Sequence, residues 1–142
     1  MTRVTFYSNL LDKQLALCDL VKLALSKKHQ VTILTESQSN AAITTDYLWK
    51  SSPTDFIPNV AAPHELAANT PVVVDWQEND LLQDDILINL TLRQPTSFSR
   101  FKALIELVGV DEEDKAAARQ RYKFYRDRGY EIQHIDYASK TN

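Results

Sequence analysis

The chain has 142 residues, of which 44% are hydrophobic and 25% are charged, and these are the proportions of a single soluble globular domain. No apolar run reaches the ~20 residues that cross a bilayer, the N-terminus lacks the features of a signal peptide, and the single cysteine excludes an internal disulfide. We therefore expect a cytoplasmic protein with no membrane contact, and the net charge of −3 disfavours one whose whole surface coats nucleic acid.

The first third of the chain is predicted to form alternating strands and helices. Residues 3–7 alternate in polarity and are rich in β-forming side chains, which predicts a strand. Apolar side chains recur at helical spacing over residues 12–28, and residues 30–35 predict a second strand. Residues 37–50 predict a second helix, which begins beside serines that are suited to cap it.

The middle of the chain is rich in proline. Residues 51–71 contain four of the five prolines, so we expect irregular structure there, without a helix or a central strand. The apolar runs at residues 71–76 and 85–90 predict strands that are buried on both faces. We interpret Asp75, at the end of the first run, as a turn residue and not as a magnesium ligand, because the chain has no glycine-rich phosphate loop.

The last third predicts a short amphipathic segment, a long helix and a final strand. Residues 97–105 carry Phe98, Phe101 and Leu104 at helical spacing, and residues 104–110 fit either a helix end or a brief strand. Residues 115–129 predict a helix, and residues 130–135 predict a strand. The alternation predicts one α/β domain over residues 1–142, in three layers, with a mostly parallel sheet and helices on both faces.

Positive charge is concentrated in the last predicted helix. Residues 115–129 hold six of the 16 Lys and Arg and one of the 19 Asp and Glu, so they carry +5 while the rest carries −8. At 100° per residue, four cations and one aromatic share one face, and these are Lys115, Arg119, Tyr122, Lys123 and Arg126. A solvated charged face normally mixes both signs, so this face predicts an anionic ligand. Arg121 falls on the apolar side, where burial requires a carboxylate or carbonyl partner.

Several kinds of chemistry are disfavoured by what the chain lacks. It has two glycines, whereas loops that cradle phosphates need several in a short run, so we expect no nucleotide-binding loop. None of the three histidines has a partner at metal-ligand spacing. We expect no catalytic site, no metal and no cofactor. The size of the basic face suits a short acidic peptide whose apolar residue packs beside Tyr122. Direct binding of single-stranded nucleic acid, with Tyr122 or Tyr125 stacking on bases, is the alternative.

Several segments together resemble a known family. They are, in order, Thr5-Phe6-Tyr7, Leu48-Trp49, Phe56-Ile57-Pro58, residues 85–90, and the stretch Ala-Arg-Gln-Arg-Tyr-Lys-Phe-Tyr-Arg at 118–126. This series resembles the chi-subunit family of bacterial DNA polymerase III holoenzyme. The resemblance implies a Rossmann-like fold without nucleotide binding, and a non-catalytic accessory subunit of the clamp loader in the bacterial replisome.

The resemblance also implies two protein partners. One is the psi subunit, met through Trp49, Phe56 and Pro58, although Trp49 also fits a plain core position; a repair helicase is a further candidate at this surface. The other partner is the acidic C-terminal tail of the single-stranded-DNA-binding protein, which ends in aspartates, proline, phenylalanine and a free carboxylate, so that DNA is met indirectly. The implied tail site comprises Lys115 and Lys123 for the aspartates, Arg119 for the terminal carboxylate, Tyr122 with Val108 or Val110 around the phenylalanine, and Arg126 on the same face.

Overall fold

A computed structural model describes residues 2–50, 59–61, 71–77 and 84–136, with the side chains of residues 49, 50 and 59–61 outside the description. Strands and helices alternate over residues 3–50, as predicted. The elements are β1 (Arg3–Leu10), α1 (Lys13–Ser26), β2 (Val31–Leu34), α2 (Gln38–Lys50), β3 (Asn59–Ala61), β4 (Val72–Asp75), β5 (Ile86–Asn89), a 3-10 turn (Phe98–Arg100), β6 (Ala103–Gly109), α3 (Glu112–Asp127) and β7 (Ile132–Asp136).

The strands of the described residues form one sheet in the order β3-β4-β2-β5-β6-β1-β7. Each neighbouring pair is parallel, which confirms the predicted parallel sheet. All four residues of β4 and all four of β5 are buried, as their apolar runs predicted. Burial of both faces is the usual state of a parallel sheet, because its crossover helices cover it on either side.

Two hydrophobic cores lie on opposite faces of this sheet. Alternate side chains of a strand point to opposite faces, and in β6 Leu104 and Val108 enter one core while Leu107 enters the other. Helices α1 and α2 pack on the core that contains Leu107. Helix α3 and the 3-10 turn pack on the core that contains Leu104 and Val108. The predicted three-layer α/β fold is therefore confirmed.

Two segments differ from the prediction. The aromatic spacing at Phe98 and Phe101 predicted a helical segment, but the structure has only a 3-10 turn there, followed by β6 in the interior of the sheet. The spacing misled because a turn and the start of a strand bring Phe98, Phe101 and Leu104 into the same core. In the proline-rich stretch, residues 59–61 form β3, a short strand that was not predicted; it pairs with β4 at the edge of the described sheet, which agrees with the expectation that no central strand lies there.

A buried polar cluster holds α3 against the sheet. Glu106 in β6 is 0% exposed, and its Oε1 accepts hydrogen bonds from Asn89 Nδ2 at 2.8 Å and from Arg121 Nε at 3.1 Å. The hydroxyl of Tyr125 donates to Glu106 Oε2 at 2.6 Å. Arg121, which is 2% exposed, also donates from Nη1 to the Leu92 carbonyl at 2.8 Å. The buried Arg121 was predicted to need a carboxylate or carbonyl partner, and it has one of each: the Glu106 carboxylate and the Leu92 carbonyl.

The protonation of Glu106 couples this cluster to pH. Burial raises the pKa of Glu106 from 4.5 to about 7, while Arg121 and the hydrogen bonds from Tyr125 and Asn89 act in the opposite direction. The folded protein therefore holds this proton more tightly than the unfolded chain does. For such a group the stabilising contribution is complete below about pH 4.5 and is lost as the pH rises through about 7.

The substitution Tyr125→Phe should lower the free energy of unfolding by about 1–3 kcal/mol, because it removes a donor to a buried carboxyl group. The loss should be larger at about pH 8 than at about pH 5, since a hydrogen bond to an ionised carboxylate is stronger than one to a neutral acid. Urea denaturation at both pH values measures the two effects. Tyr122→Phe, on the exposed side of the same helix, is the matched control, and equal losses for Tyr125→Phe at both pH values would contradict the role given to Glu106.

Candidate functional site

Helix α3 carries the concentrated positive charge, and its two ends explain where it begins and stops. Glu112, Glu113 and Asp114 occupy its first turn, where negative side chains stabilise the positive end of the helix dipole. The negative charge at these three residues therefore has a structural role at the start of α3. Beyond the last turn, Gly129 has a φ of +82°, a left-handed conformation that glycine adopts without strain and that ends the helix.

Asp114 ties the start of α3 to its neighbours. Its Oδ2 accepts a hydrogen bond from the Gly109 backbone N–H at 2.6 Å and forms an ion pair with Lys13 Nζ at 2.7 Å. The end of β6, the start of α1 and the first turn of α3 therefore meet at one carboxylate. A Cβ atom added to Gly109 would lie 3.0 Å from this oxygen, so the close approach favours glycine at this position.

A cavity of about 410 Å³ opens between α3 and the neighbouring part of the sheet. Its apolar part is formed by Phe6 of β1, Val108 of β6, and Ala118 and Tyr122 of α3. Phe6, Val108 and Ala118 are buried, whereas Tyr122 is 38% exposed and stands at the rim. The rings of Phe6 and Tyr122 are tilted against each other, with centroids 5.5 Å apart. This arrangement offers contact area to one apolar or aromatic side chain of a ligand.

Two cations of α3 stand beside this apolar part. Lys115 and Arg119 both line the cavity, one helical turn apart. The guanidinium of an arginine presents paired donors that match a carboxylate or a phosphate, and a lysine adds a mobile point charge. The combination fits a ligand in which an apolar group and an anion are close neighbours.

The structure brings together four of the residues that the sequence predicted for the tail site. Lys115, Arg119, Tyr122 and Val108 line the same cavity. Val110, the alternative to Val108, is 44% exposed and lies in an adjacent depression beside Asp111.

The other two cations of the predicted face lie outside the cavity. Lys123 lines a separate depression between α3 and residues 92–94. Arg126 is exposed, and its Nε is 3.6 Å from Asp127 Oδ1. Ideal helical spacing groups all four cations, but the neighbouring loop and strands divide them between two surfaces.

Six of the ten residues that line the cavity were not predicted for the site from the sequence, and three of these six are polar. They are Ser8 and Asn9 of β1 and His134 of β7. They are brought there because β7 pairs with β1 in a register that sets His134 beside Phe6. The one local signal is Asn9, whose φ of +59° is a conformation that asparagine adopts more readily than most residues.

The residues predicted to face psi lie largely outside the described residues. Trp49 belongs to the last turn of α2, but its side chain is among those outside the description. Phe56 and Pro58 fall outside the described residues altogether.

Two acidic residues at strand ends, Asp75 and Asp85, have structural partners. Asp75 Oδ1 accepts hydrogen bonds from the backbone N–H groups of Trp76 and Gln77 at 2.7 and 3.0 Å, which confirms the predicted turn. Asp85 Oδ2 lies 3.0 Å from both His29 Nδ1 and the Gln30 backbone N, just before β5 begins. Across residues 2–50, 59–61, 71–77 and 84–136, no three His, Cys, Asp or Glu side chains are grouped so as to hold a metal ion, and no helix is long and apolar enough to traverse a bilayer.

Comparison with solved structures shows that this fold is shared with another protein. The C-terminal domain of the DEAD-box protein Dbp5 superposes with a TM-score of 0.68 over 97% of this chain and 91% of that domain, at 11% sequence identity. The same domain of the Saccharomyces cerevisiae protein, bound to Gle1 and IP6, gives a TM-score of 0.62 at 10% identity. At such low identity the likeness concerns the fold alone.

Comparison of sequences identifies the family. The family model described as DNA polymerase III chi subunit, HolC, matches residues 1–133. The DNA polymerase III subunit chi of Pseudomonas aeruginosa is 31% identical over 137 residues, which cover 94% of this chain and 95% of the relative. The subunit chi of Haemophilus influenzae is 29% identical over 116 residues, or 81% of each chain. The chain therefore belongs to the DNA polymerase III chi subunit family, a family of accessory subunits in DNA replication.

Proposed function

We propose that this chain is a non-catalytic bridge in the bacterial replisome. It joins the clamp loader, through the psi subunit, to the acidic C-terminal tail of the single-stranded-DNA-binding protein, and it meets DNA through that protein. The observation that carries the proposal is the cavity in which Arg119 and Lys115 stand beside an apolar floor. Membership of the chi-subunit family supports the replication role.

The chemistry of the tail matches the cavity group by group. The terminal phenylalanine ring packs on Phe6, Val108 and Ala118, with Tyr122 at the rim. The adjoining carboxylate accepts paired hydrogen bonds from Arg119, in a site where both groups are partly shielded from water. Lys115 adds a second positive charge on the same wall.

The exposed cations outside the cavity have a different part in this proposal. Lys123 and Arg126 attract the upstream aspartates from solvent, so each contributes little to the final affinity and more to the rate of association. Ion pairs of this kind are screened within about 8–10 Å at physiological salt, so tail binding weakens as salt is raised.

Direct binding of single-stranded nucleic acid is less well supported. Tyr125, one of its two predicted stacking residues, is fully buried and donates its hydroxyl hydrogen to Glu106. Tyr122 is then the only one of the two that is exposed to a base. Sequence-independent binding of single strands normally uses a series of stacking aromatics along a basic groove.

The variant Arg119→Ala should weaken binding of a peptide that ends in aspartates, proline and phenylalanine by about 10- to 100-fold, because a charge-assisted hydrogen-bonding pair is lost. Arg126→Ala is the matched control: it removes the same charge from the same helix, outside the cavity, and should change the affinity by less than about threefold. Isothermal titration calorimetry measures both. If Arg119→Ala binds the peptide as tightly as the wild type does, the assigned site is wrong.

The wild-type protein should discriminate strongly between four anionic ligands. The acidic peptide with a free C-terminal carboxylate should bind, whereas its C-terminal amide, a bare single-stranded oligonucleotide and ATP should bind at least about tenfold more weakly. One titration series under the same buffer makes the comparison. Tight binding of the oligonucleotide together with weak binding of the peptide would favour the nucleic-acid alternative.

The two proposed partners should bind independently. Trp49 lies in the last turn of α2, a helix that packs on the opposite face of the sheet from α3. Trp49→Ala should therefore reduce co-purification with psi and leave peptide affinity unchanged, whereas Arg119→Ala should do the reverse. Pull-down with psi and calorimetry with the peptide, performed on both variants, test this. A variant that loses both partners while remaining folded would count against separate surfaces.

A further inference from the structure

Besides its apolar part and the two cations of α3, the tail cavity is lined by the polar side chains of Ser8, Asn9 and His134. In the sheet order β6-β1-β7, β7 is on the far side of β1 from β6, the strand that leads into α3. His134 of β7 is in register with Phe6, so its ring lines the cavity beside the apolar floor. Its Nε2 is 2.7 Å from Ser8 Oγ, and Ser8 also lines the cavity.

The end of β1 is shaped so that this pair is held in place. Asn9 adopts a φ of +59°, and its Nδ2 donates a hydrogen bond to Asp136 Oδ1 at 2.9 Å. This bond joins the end of β1 to the end of β7, next to the Ser8–His134 contact. The histidine is exposed at the cavity, so its ring is accessible to a ligand there.

The chemistry of an imidazole suits an anion at this position. A neutral ring has one donor and one acceptor nitrogen, whereas a protonated ring donates from both. In the protonated state one nitrogen donates to Ser8 Oγ, and the other is available to a carboxylate oxygen. Histidine side chains in general change charge between about pH 5 and 8, so a histidine contact makes anion binding depend on pH.

We propose that His134, oriented by Ser8, is a second anion-binding group of the cavity and takes a side-chain carboxylate of the aspartates that precede the terminal phenylalanine. This inference rests on the proposed tail-binding function and adds to it. The cavity then recognises two carboxylates as well as one aromatic ring: Arg119 of α3 holds the terminal carboxylate, and His134 of β7 holds an aspartate. The specificity is for an acidic peptide end and not for an aromatic carboxylate alone.

The charged side chains near His134 come from two elements. Lys115 and Arg119 line the cavity from α3, Asp136 lies two residues along β7, and the cavity residues of β1 and β6 carry no charge. A protonated histidine and a bound aspartate attract each other, so protonation of His134 and binding of the peptide reinforce each other.

Calorimetry with the acidic peptide at about pH 7.5 and about pH 5.5 tests this, since aspartates remain ionised at both values. The wild type should bind about three- to tenfold more tightly at the lower pH. His134→Gln should bind with nearly the same affinity at both pH values. His134→Lys, which carries a permanent charge, should bind tightly at both, and a peptide with asparagines in place of the aspartates should remove the pH effect from the wild type.

The outcomes separate this inference from the proposal on which it rests. If His134→Gln keeps the wild-type affinity and the wild-type pH dependence, His134 is not an anion-binding group, and the tail site stands as long as Arg119→Ala is impaired. If His134→Lys binds no more tightly than His134→Gln at about pH 7.5, the inference is likewise overturned. If the wild type binds no peptide at either pH, both the tail site and the role of His134 are wrong.

Discussion

The contact between the buried carboxylate of Glu106 and the side chains of Arg121 and Tyr125 determines the orientation of α3. Arg121 and Tyr125, four residues apart on the helix, both donate hydrogen bonds to the Glu106 carboxylate in the interior of the sheet. A helix turns by 100° per residue, so fixing Arg121 toward the sheet also fixes which of its neighbours face the cavity. Removing one partner of such a buried pair typically lowers the free energy of unfolding by about 3–5 kcal/mol, so any other orientation of the helix would be strongly destabilised.

The start of α3 is fixed by a second contact, and the two together preorganise the cations. Asp114 binds the Gly109 N–H and Lys13 at the first turn, while Arg121 and Tyr125 hold the later turns. Positive side chains on the helix therefore need no ligand to keep them near one another. Holding them in advance reduces the ordering cost of binding, and that cost is a large part of what limits the affinity for short peptides.

Much of this arrangement follows from local patterns in the sequence, and the remainder follows from contacts between distant segments. Helical spacing placed Lys115, Arg119 and Tyr122 on one face and required partners for a buried Arg121. Helical spacing did not show that Lys123 lies outside the cavity, because its position depends on residues 92–94 lying beside the helix. His134 was missed because its place in the cavity depends on the register of β7 against β1, which no local pattern specifies.

The position of β7 at one edge of the described sheet means that the cavity is bordered by an edge strand. Among the described strands it pairs only with β1, and none of its five residues is fully buried. Strands of this kind belong to the part of a protein that opens most readily. A peptide held between α3 and β7 therefore stabilises the contact of the last described strand with the rest of the domain. Part of the binding free energy then goes into suppressing local unfolding of β7.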